Sequence, residues 1–350
     1  MIQPFSQNVN VGKINAVQVG FGNGSTFMVG DHLSTVSAAP TPTLGVVTAL
    51  EEEFVAMKAL LDSPAPGTAA DDRGCYEIGT VPSADPDEPH LVVLTLLGET
   101  GTHAAASSCA HLARSFGSVN CVLMVGVAAG VPRPDTPRRH VRLGDLVVAS
   151  WGVVDYDHVV ELIQGRTLRQ HFPLPSPLLA SRAKILRAEE RSGRRPWRRW
   201  LDEGAQNLPG YERPPTETDA VFAGKGGRLT AHPDTTQTGH EPGWPKVHYG
   251  LIGSADRSLR NAVVRDDIAV PHDLLAIEME GTGIGRSAFS SGLEWFVVRG
   301  ISDYGDDRTN LVWRNYASLA AAAYTRALLQ QCPPIAPRGG HTRQTGSTRS

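Results

Sequence analysis

Cysteine is scarce in this sequence, and long apolar runs are absent. Only four cysteines occur among 350 residues, and no two form a CxxC pair or a metal-ligand spacing. Cys121, in the apolar run NCVLMVG, is interpreted as a small buried side chain. No signal peptide is recognisable, and no apolar run reaches the roughly 18 residues that a membrane-spanning helix needs. These features exclude a disulfide-rich secreted domain and predict a protein of the reducing cytoplasm.

A strong excess of charge of one sign is also missing. The net charge is -3, with 20% charged and 41% hydrophobic residues, which is typical of a soluble globular protein. This balance predicts that neither nucleic acid nor a membrane is a partner. At 350 residues, the chain has room for one large domain or two small ones.

Residues 1–43 differ in pattern from the rest of the chain. The runs INAVQV and STFMV alternate apolar and polar residues around a turn-like GFGNG, and SAAPTPT is typical of a linker. An isolated two-stranded hairpin is only marginally stable in water. Short, uncharged, proline-free strands with Asn and Gln are instead typical of self-stacking cross-β segments. The sequence therefore predicts a disordered N-terminal segment that carries a self-stacking motif.

From residue 44 onward, strand and helix patterns alternate. The runs LGVVTAL, HLVVLTLL, CVLMVG and GDLVVAS have the length of buried strands, and helical patterns follow several of them. Such alternation predicts an α/β fold with a mostly parallel sheet flanked by helices. An irregular, basic insertion interrupts the pattern at about 161–245. The proline-rich and then polar residues 332–350 are predicted to form a disordered tail.

Acidic side chains stand at the ends of three predicted strands. Glu53 closes the EEE after LGVVTAL, Glu278 and Glu280 finish LLAIEME, and Asp303 follows EWFVVRGIS. Open α/β sheets bind ligands at the carboxyl ends of their strands. Each acid also has a structural interpretation, since first-turn acids complement a helix dipole and Ser302 with Asp303 can cap a helix. The convergence of three acidic ends on one edge favours a functional site.

Glu278, Glu280 and Asp145 are also interpreted from their places on the predicted strands. Strand alternation predicts that Glu278 and Glu280 lie on one side and Met279 on the other. Burying two carboxylates is costly unless they have partners, so a structural role alone explains this pair poorly. Asp145, in RLGDLVV, opens its strand rather than ending it and is interpreted as structural.

Six motifs together resemble one protein family. TALEEEF, MVGVAAGVP, RLGDLVVASWGVVDYD, HYGLIGSAD, AIEMEGTG and VRGISDYGDD occur in the order seen in the nucleoside phosphorylase superfamily, over residues 44–331. The chain is most similar to methylthioadenosine/adenosylhomocysteine nucleosidases, above all the nucleosidase domains of fungal and bacterial immune receptors. The resemblance implies a three-layer fold around a mostly parallel mixed sheet. It also implies hydrolysis of the N-glycosidic bond of methylthioadenosine, adenosylhomocysteine or ATP, without a cofactor or a metal.

The resemblance further implies roles for individual residues. Asp303 would donate a proton to the purine N7, oriented by Ser302, and Glu53 would position and deprotonate water. Glu280 would accept the ribose 2′- and 3′-hydroxyls, with Met279 packed on the ribose and Glu278 near the nucleophile. Carboxylates suit this reaction because the sugar becomes cationic in the transition state. The other positions assigned to substrate binding are Ala128, Ala129, Gly130 and Leu259.

Two departures from the family pattern bear on the reaction. Phosphorylases of the superfamily place a phosphate-binding arginine shortly before the turn that here reads GVAAG, and CVLMVGVAAG contains none, which favours hydrolysis. Leu259, next to Ser258, keeps only an apolar contact where the family has an aromatic that stacks on the base. The alternatives are a phosphate-dependent purine nucleoside phosphorylase and a catalytically inactive nucleotide-binding switch. Retention of Glu53, Glu280 and Asp303 argues against the switch.

The insertion carries a strongly basic stretch. Residues 182–199 contain eight Lys or Arg and two Glu. One interpretation is a solvated helix face, as for most charge runs. The other is that the stretch, together with Arg213, lines the 5′ side of the site and binds polyphosphate, since guanidinium groups match phosphate geometry. In that case the enzyme would accept substrates with 5′-phosphates.

The N-terminal segment has a resemblance of its own. INAVQVGFGN resembles the V/I-Q-V/I-G core of amyloid signalling motifs of the RHIM-like group, with VQVG at residues 17–20. The resemblance implies templated strand addition onto a partner protein that bears a matching amyloid motif. It also implies an effector of a bacterial defence or signalling system. The remaining expected partners are the adenine nucleoside or nucleotide and further copies of the chain in a homo-oligomer.

Overall fold

The chain divides into two compact units, Met1–Thr41 and Pro42–Ser350. The computed structural model describes residues 6–11, 14–21, 24–29, 32–35, 41–69, 72, 74–169, 173–223, 228–308 and 311–339.

The first unit contains an antiparallel sheet in which each strand pairs with the next. Its strands are β1 (Ser6–Val11), β2 (Ile14–Phe21), β3 (Gly24–Val29) and β4 (His32–Thr35). The strands predicted from INAVQV and STFMV are confirmed as β2 and β3, whereas β1 and β4 have no counterpart in the sequence prediction. The residues between and around these strands, and with them the predicted disorder, lie outside the described residues.

The second unit is built on a nine-stranded mixed sheet. The strands of this unit are β5 (Leu44–Thr48), β6 (Asp62–Gly67), β7 (Tyr76–Val81), β8 (His90–Leu96), β9 (Cys121–Gly130), β10 (Leu146–Asp155), β11 (Val159–Leu162), β12 (Gly165–Leu168), β13 (Val221–Ala223), β14 (Arg228–Thr230), β15 (Val247–Ser254), β16 (Leu274–Glu278) and β17 (Glu294–Asp303). The sheet order is β16-β15-β10-β17-β9-β5-β8-β7-β6, and β11–β12 and β13–β14 are separate two-stranded pairs.

The helices of this unit are α1 (Glu51–Ala59), α2 (Thr102–Ser115), α3 (Pro177–Arg191), α4 (Trp197–Asn207), α5 (Thr235–Thr238), α6 (Ala262–Ala269), α7 (Gly281–Ser290) and α8 (Arg314–Gln330). Two groups of them pack on the sheet: α1, α3 and α4 lie around α8, and α2 pairs with α7. The predicted three-layer α/β fold is therefore confirmed. Within the described residues, no helix has the length and apolar character that crossing a membrane requires.

The central strand β9 organises the sheet edge that concerns function. β5 and β17 both run parallel to β9, one on each side, so their carboxyl ends meet at the same edge. The end of β9 also pairs antiparallel with β16, with Ala129 opposite Ile277 and Gly130 opposite Ala276. This extra pairing closes five strands into a ring and brings the end of β16 to the same place.

Tight packing in the core holds the end of β17 in place. All five residues of β5 are buried, and β17 is buried from Trp295 to Ser302. The alanine-rich α8 lies so close to β17 that a Cβ at Gly300 would overlap the carbonyl oxygen of Ala317. A glycine is needed at this crossing, and the tight packing fixes the strand end that carries Ser302 and Asp303.

The insertion and the tail depart in part from the sequence prediction. The basic stretch forms the predicted helical structure, as α3 and α4. The prediction of a disordered tail is wrong for residues 332–339. Cys332 is fully buried, and Arg338 donates its backbone N–H to the Ser118 carbonyl (3.0 Å) and its Nη1 to the Ser291 carbonyl (2.9 Å). These bonds anchor the proline-rich segment, and residues 340–350 lie outside the described residues.

Candidate active site

The acidic ends of three strands meet in one cavity. Glu53 lies in the first turn of α1 after β5, Glu278 ends β16, and Asp303 ends β17. Because β5, β16 and β17 are all neighbours of β9, these ends surround a cavity of about 240 Å³. Nine of the predicted site residues line it, namely Glu53, Ala128, Ala129, Leu259, Glu278, Met279, Glu280, Ser302 and Asp303.

Glu53 is held by three backbone donors. Its Oε2 accepts from the N–H groups of Ala49 (2.7 Å) and Leu50 (3.0 Å), and its Oε1 accepts from Val127 N–H (2.7 Å). As the third residue of α1, Glu53 can reach back to the N–H groups that precede the helix. Burial raises the pKa of Glu53, while Arg299 and the three N–H donors oppose that rise. The carboxyl is therefore fixed in the cavity wall, and its pKa lies above the ordinary value of a glutamate.

Arg299 stands among three carboxylates in the interior. It is fully buried, and its Nη2 donates to Glu278 Oε2 and, at 3.0 Å, to Glu280 Oε2. Its Nη1 lies 3.9 Å from Glu53 Oε1. Burial alone would lower the pKa of Arg299, but the three glutamates outweigh it and the pKa is raised. The arginine remains charged and compensates the buried acids.

Glu278 and Glu280 differ in their surroundings although both bind Arg299. Glu278 also accepts from the backbone N–H groups of Glu280 (3.0 Å) and Gly281 (2.9 Å), so both of its oxygens are occupied. Glu280 accepts one further bond, from Gly101 N–H (3.0 Å). Burial raises the pKa of Glu280, Arg299 opposes the rise, and the neighbouring glutamates add to it. Both oxygens of Glu280 are also occupied, Oε1 by Gly101 and Oε2 by Arg299, and both glutamates line the cavity.

The expected strand alternation across the EME motif is wrong. β16 ends at Glu278, and Glu280 has a helical backbone as the residue that precedes α7. The chain turns there because Glu278 bonds the N–H groups of the first helical turn. As a result, Met279 lines the same cavity as the two glutamates instead of pointing away from them.

Asp303 has two fixed hydrogen bonds. Its Oδ2 accepts from Ser302 Oγ and its Oδ1 from Gly305 N–H, each at 2.8 Å. The backbone of Gly305 has φ +60°, a conformation that favours glycine and lets its N–H point back to the carboxyl. Asp303 is half-buried beside Ala128 and Ala129. The Ser302 hydroxyl and the Gly305 N–H therefore fix the Asp303 carboxyl in the wall of the cavity.

The residues that build this site lie in a region that matches a known protein family. The model described as the phosphorylase superfamily matches residues 43–330. The chain belongs to the phosphorylase superfamily. The match includes every element that contributes to the acidic cavity.

Individual relatives are identical to this chain at about a quarter of the aligned positions. A nucleotide-binding leucine-rich repeat (NLR)-like protein of Hyaloscypha variabilis is 26% identical over 299 residues, which cover 82% of this chain and 29% of that protein. A 5′-methylthioadenosine/S-adenosylhomocysteine nucleosidase of Mycobacterium tuberculosis is 25% identical, covering 84% of this chain and 98% of the nucleosidase. ATP nucleosidase Cap17 of Escherichia coli is 25% identical, covering 83% of this chain and 51% of Cap17. The chain thus spans less than a third of the first relative and about half of the third.

Solved structures share the superfamily fold. The S-adenosylhomocysteine nucleosidase of Streptococcus pyogenes, in complex with 5-methylthiotubericidin, superposes with a TM-score of 0.57 at 19% identity. The alignment covers 85% of this chain and the whole of that chain. At this level of identity the similarity concerns the fold.

Two predicted substrate-binding residues lie outside the acidic cavity. Arg213 stacks on Trp313 (4.8 Å) and Tyr316 (5.9 Å) and donates its Nη1 to the Pro214 carbonyl (3.2 Å), beside a different cavity of about 140 Å³. Its assignment to the substrate of the acidic cavity is therefore wrong, because Arg213 lines this other cavity and not the acidic one. Gly130 is buried at the end of β9, where a Cβ would overlap Ile301, so it permits close packing and does not line the cavity.

The basic stretch also lies away from the acidic cavity. Arg187, Arg191, Arg195 and Arg198 line a second cavity, which shares no lining residue with the first. The hypothesis that the stretch lines the 5′ side of the acidic site is therefore wrong for this chain. Sequence reasoning could not locate the stretch, because the packing of α3 and α4 depends on contacts distant in sequence.

Several contributors to the site were missed by the sequence prediction. Arg299 is the foremost, and a signal existed, since an arginine inside the apolar run WFVVRGIS requires a buried partner. The backbone donors of Gly101 and Val127 carry no sequence signal, because any residue supplies an N–H. Gly126 matters by what it lacks, since a Cβ there would overlap the Glu53 carboxylate.

One side-chain cluster in the described part of the chain could hold a metal ion, namely Asp145, His240 and His248. The Nε2 atoms of His240 and His248 lie 2.7 and 2.9 Å from Asp145 Oδ2. Asp145 also accepts from the N–H groups of Arg142 and Lys246, both at 2.9 Å. Four hydrogen bonds at the start of β10 agree with the structural interpretation of Asp145. The cluster does not line the acidic cavity.

Proposed function

We propose that this protein hydrolyses the N-glycosidic bond of an adenine nucleoside or nucleotide. The observation that carries the proposal is the convergence of Glu53, Glu280 and Asp303, from three separate elements, on one cavity of about 240 Å³. The enzyme is an N-glycosyl hydrolase of the phosphorylase superfamily. Methylthioadenosine, adenosylhomocysteine and ATP are the candidate substrates, as the names of the relatives suggest.

The geometry supports a definite division of labour. Asp303 gives a proton to N7 of the base, so the electron pair of the C1′–N9 bond can leave with a neutral adenine. Glu280 accepts hydrogen bonds from the ribose hydroxyls. The buried carboxylates stabilise the positive charge that develops on the sugar. Glu53 takes a proton from the water whose oxygen bonds to C1′. Arg299 acts through the glutamates that it holds.

Electrostatics favour water over phosphate as the nucleophile. A phosphate beside Glu53 and Glu280 would meet two carboxylates, and the nearest cation, Arg299, is already bound to glutamates. Two other arginines line the cavity, each with an acidic partner, Arg257 with Asp157 (2.9 Å) and Arg314 with Glu52 (3.4 Å). Arg314 has the longer ion pair, and we assign to it the contact with a 5′-phosphate.

The decisive measurement is chromatographic detection of free adenine. The purified full chain is incubated with methylthioadenosine, adenosylhomocysteine or ATP, with and without inorganic phosphate. We expect adenine release that is independent of phosphate, together with free ribose or its 5′-derivative. Release of a ribose 1-phosphate that depends on added phosphate would establish a phosphorylase instead. Absence of adenine release from all three substrates would support the inactive nucleotide-binding switch.

We further propose that the first unit is a self-assembling module and that the protein is an effector of a defence or signalling system. The VQVG core lies within β2, which pairs antiparallel with the short strands β1 and β3. The similarity to parts of two longer proteins, one NLR-like, also supports an effector role. Stacking of this unit on a matching partner would raise the local concentration of the enzyme.

A synthetic peptide spanning residues 8–30 tests this module. It is expected to form fibrils that bind thioflavin, and a matched peptide with Gln18→Lys and Val19→Lys is expected to remain soluble, because stacked identical strands place like charges in contact. Fibrils from both peptides, or from neither, would contradict a motif-specific assembly.

A further inference from the structure

A second cavity lies apart from the acidic site and shares no lining residue with it. It has a volume of about 530 Å³, and its walls come from the turn at 137–139, α3, the start of α4 and the start of β15. The three residues that β15 contributes to the lining are Val247, His248 and Tyr249. Its size is within the range of small-molecule sites in proteins.

The lining of this second cavity is strongly basic. It contains seven cationic side chains, Arg138, Arg139, Arg187, Arg191, Arg195, Arg198 and Lys246, against two acidic ones, Glu190 and Glu241. Such an accumulation of like charge around one hollow is unfavourable unless an anion joins it.

The protein itself neutralises only part of this charge. Glu241 is shared by Arg195 and Arg198, each at 2.5 Å, and Arg139 pairs with Asp273 at 2.8 Å. Among the described residues, no acid forms an ion pair with Arg138, Arg187, Arg191 or Lys246. These four side chains therefore line the cavity without an acidic ion-pair partner. Of the two glutamates there, Glu241 is already bound to Arg195 and Arg198.

The other glutamate contributes less than a full charge. Glu190 accepts from Trp197 Nε1 at 3.0 Å, and the charges of Arg195 and Arg187 act on it. Burial raises the pKa of Glu190 to about 7, with the Trp197 bond opposing the rise. Near neutral pH, part of the population therefore carries a protonated Glu190, and the excess of positive charge grows.

Aromatic rings hold several of the guanidinium groups in place. The Cζ of Arg198 lies 4.4 Å from the centre of the Trp244 ring, and that of Arg187 lies 5.2 Å from the centre of the Tyr249 ring. Stacking on a ring fixes the plane of a guanidinium while leaving its N–H edge free to bind. Trp151, which also lines the cavity, is 60% exposed.

We propose that this basic cavity is a second ligand site, which binds a small compound with a chain of phosphate groups. Planar guanidinium groups bind phosphate oxygens in pairs, and several of them in one cavity fit several phosphates in a row. The exposed indole of Trp151 suits a nucleobase at one end of that chain, which makes a nucleoside polyphosphate and an inorganic oligophosphate the two sources. The site is independent of the proposed nucleosidase activity, since the two cavities share no lining residue.

Isothermal titration calorimetry of the full chain with inorganic tripolyphosphate tests the site. We expect one saturable site, weakened at least about tenfold by the double variant Arg187→Gln/Arg191→Gln, because charge-assisted hydrogen bonds are lost. The matched control is Arg194→Gln/Arg199→Gln, which removes two charges from the same stretch at residues that do not line the cavity. The control should change affinity less than about twofold, because exposed charges act weakly.

Two results would overturn the proposal, namely absence of saturable binding and equal weakening by both double variants, which would indicate general attraction to a basic surface. Unchanged thermal unfolding temperatures would show that both variants are folded. The source of the phosphates is distinguished by titrating ATP into the Asp303→Asn chain with and without Trp151→Ala. A loss of ATP affinity with unchanged tripolyphosphate affinity identifies a nucleotide, and equal affinities in all cases identify the phosphate chain alone as the ligand.

Discussion

Asp303→Asn is expected to lower the rate of adenine release by about 10²- to 10⁴-fold, the usual contribution of a general acid. The asparagine oxygen can still accept the Gly305 N–H bond that Asp303 makes at 2.8 Å, so the fold around β17 should be retained. What is lost is the proton for the leaving base. The measurement is kcat for the best nucleoside substrate, with unfolding temperature as the check on structure.

A substrate with a better leaving group separates proton donation from simple positioning. A nitrophenyl riboside releases nitrophenolate, which leaves without a proton. The loss of rate caused by Asp303→Asn should therefore shrink to about tenfold or less on this substrate. Asp307→Asn, an exposed neighbour in the same DYGDD segment, serves as the control and should retain the wild-type rate. An equal defect on both substrates would contradict a proton-donating role for Asp303.

Arg299→Met is expected to reduce the free energy of unfolding by about 3–5 kcal/mol at neutral pH, because removal of one partner leaves buried charges uncompensated. Arg299 is fully buried and bonds Glu278 and Glu280, with Glu53 at 3.9 Å. Urea denaturation of both chains provides the measurement. Arg286→Met is the matched control, because Arg286 pairs with Asp155 at 2.8 Å near the surface and should cost less than about 1 kcal/mol.

The size of this effect should depend on pH. The pKa values of Glu53 and Glu280 are raised in the folded protein, so the stability that protonation of these groups contributes is lost as the pH rises through their folded values. Without Arg299 those pKa values should rise further. The difference between Arg299→Met and the wild type should therefore be larger at pH 8 than at pH 5, and Glu278→Gln added to Arg299→Met should recover part of it. A difference that is the same at both pH values would show that Arg299 does not change the protonation of these acids between pH 5 and pH 8.

The fold and most of the acidic site were predictable because strand periodicity is visible in the sequence. Strand periodicity placed Glu53, Glu278 and Asp303 at strand ends, and parallel strands bring their ends to one edge. Arg299 was also within reach, since a charge inside an apolar strand implies a buried partner. The turn at Glu280 was not predictable, because it depends on whether a side chain caps the next helix or continues the strand.

Two of the errors concern the insertion, where sequence periodicity carries little information. Arg213 and the basic stretch have the composition of a phosphate site, and composition does not tell where a helix will pack. In the structure, Arg213 faces the rings of Trp313 and Tyr316. Arg187 faces the ring of Tyr249, which follows it by more than sixty residues in the sequence. Only long-range packing assigns these cations to a cavity.

By itself, the sequence determined the α/β class, the family and the acids that stand at strand ends, because these follow from local periodicity and from short motifs. Tertiary structure alone decided that Arg299 joins three carboxylates and that the basic helices surround a separate hollow. The physical reason is that both depend on the burial of charge between elements distant in sequence. Local patterns set which residues an element presents, and packing sets what those residues meet.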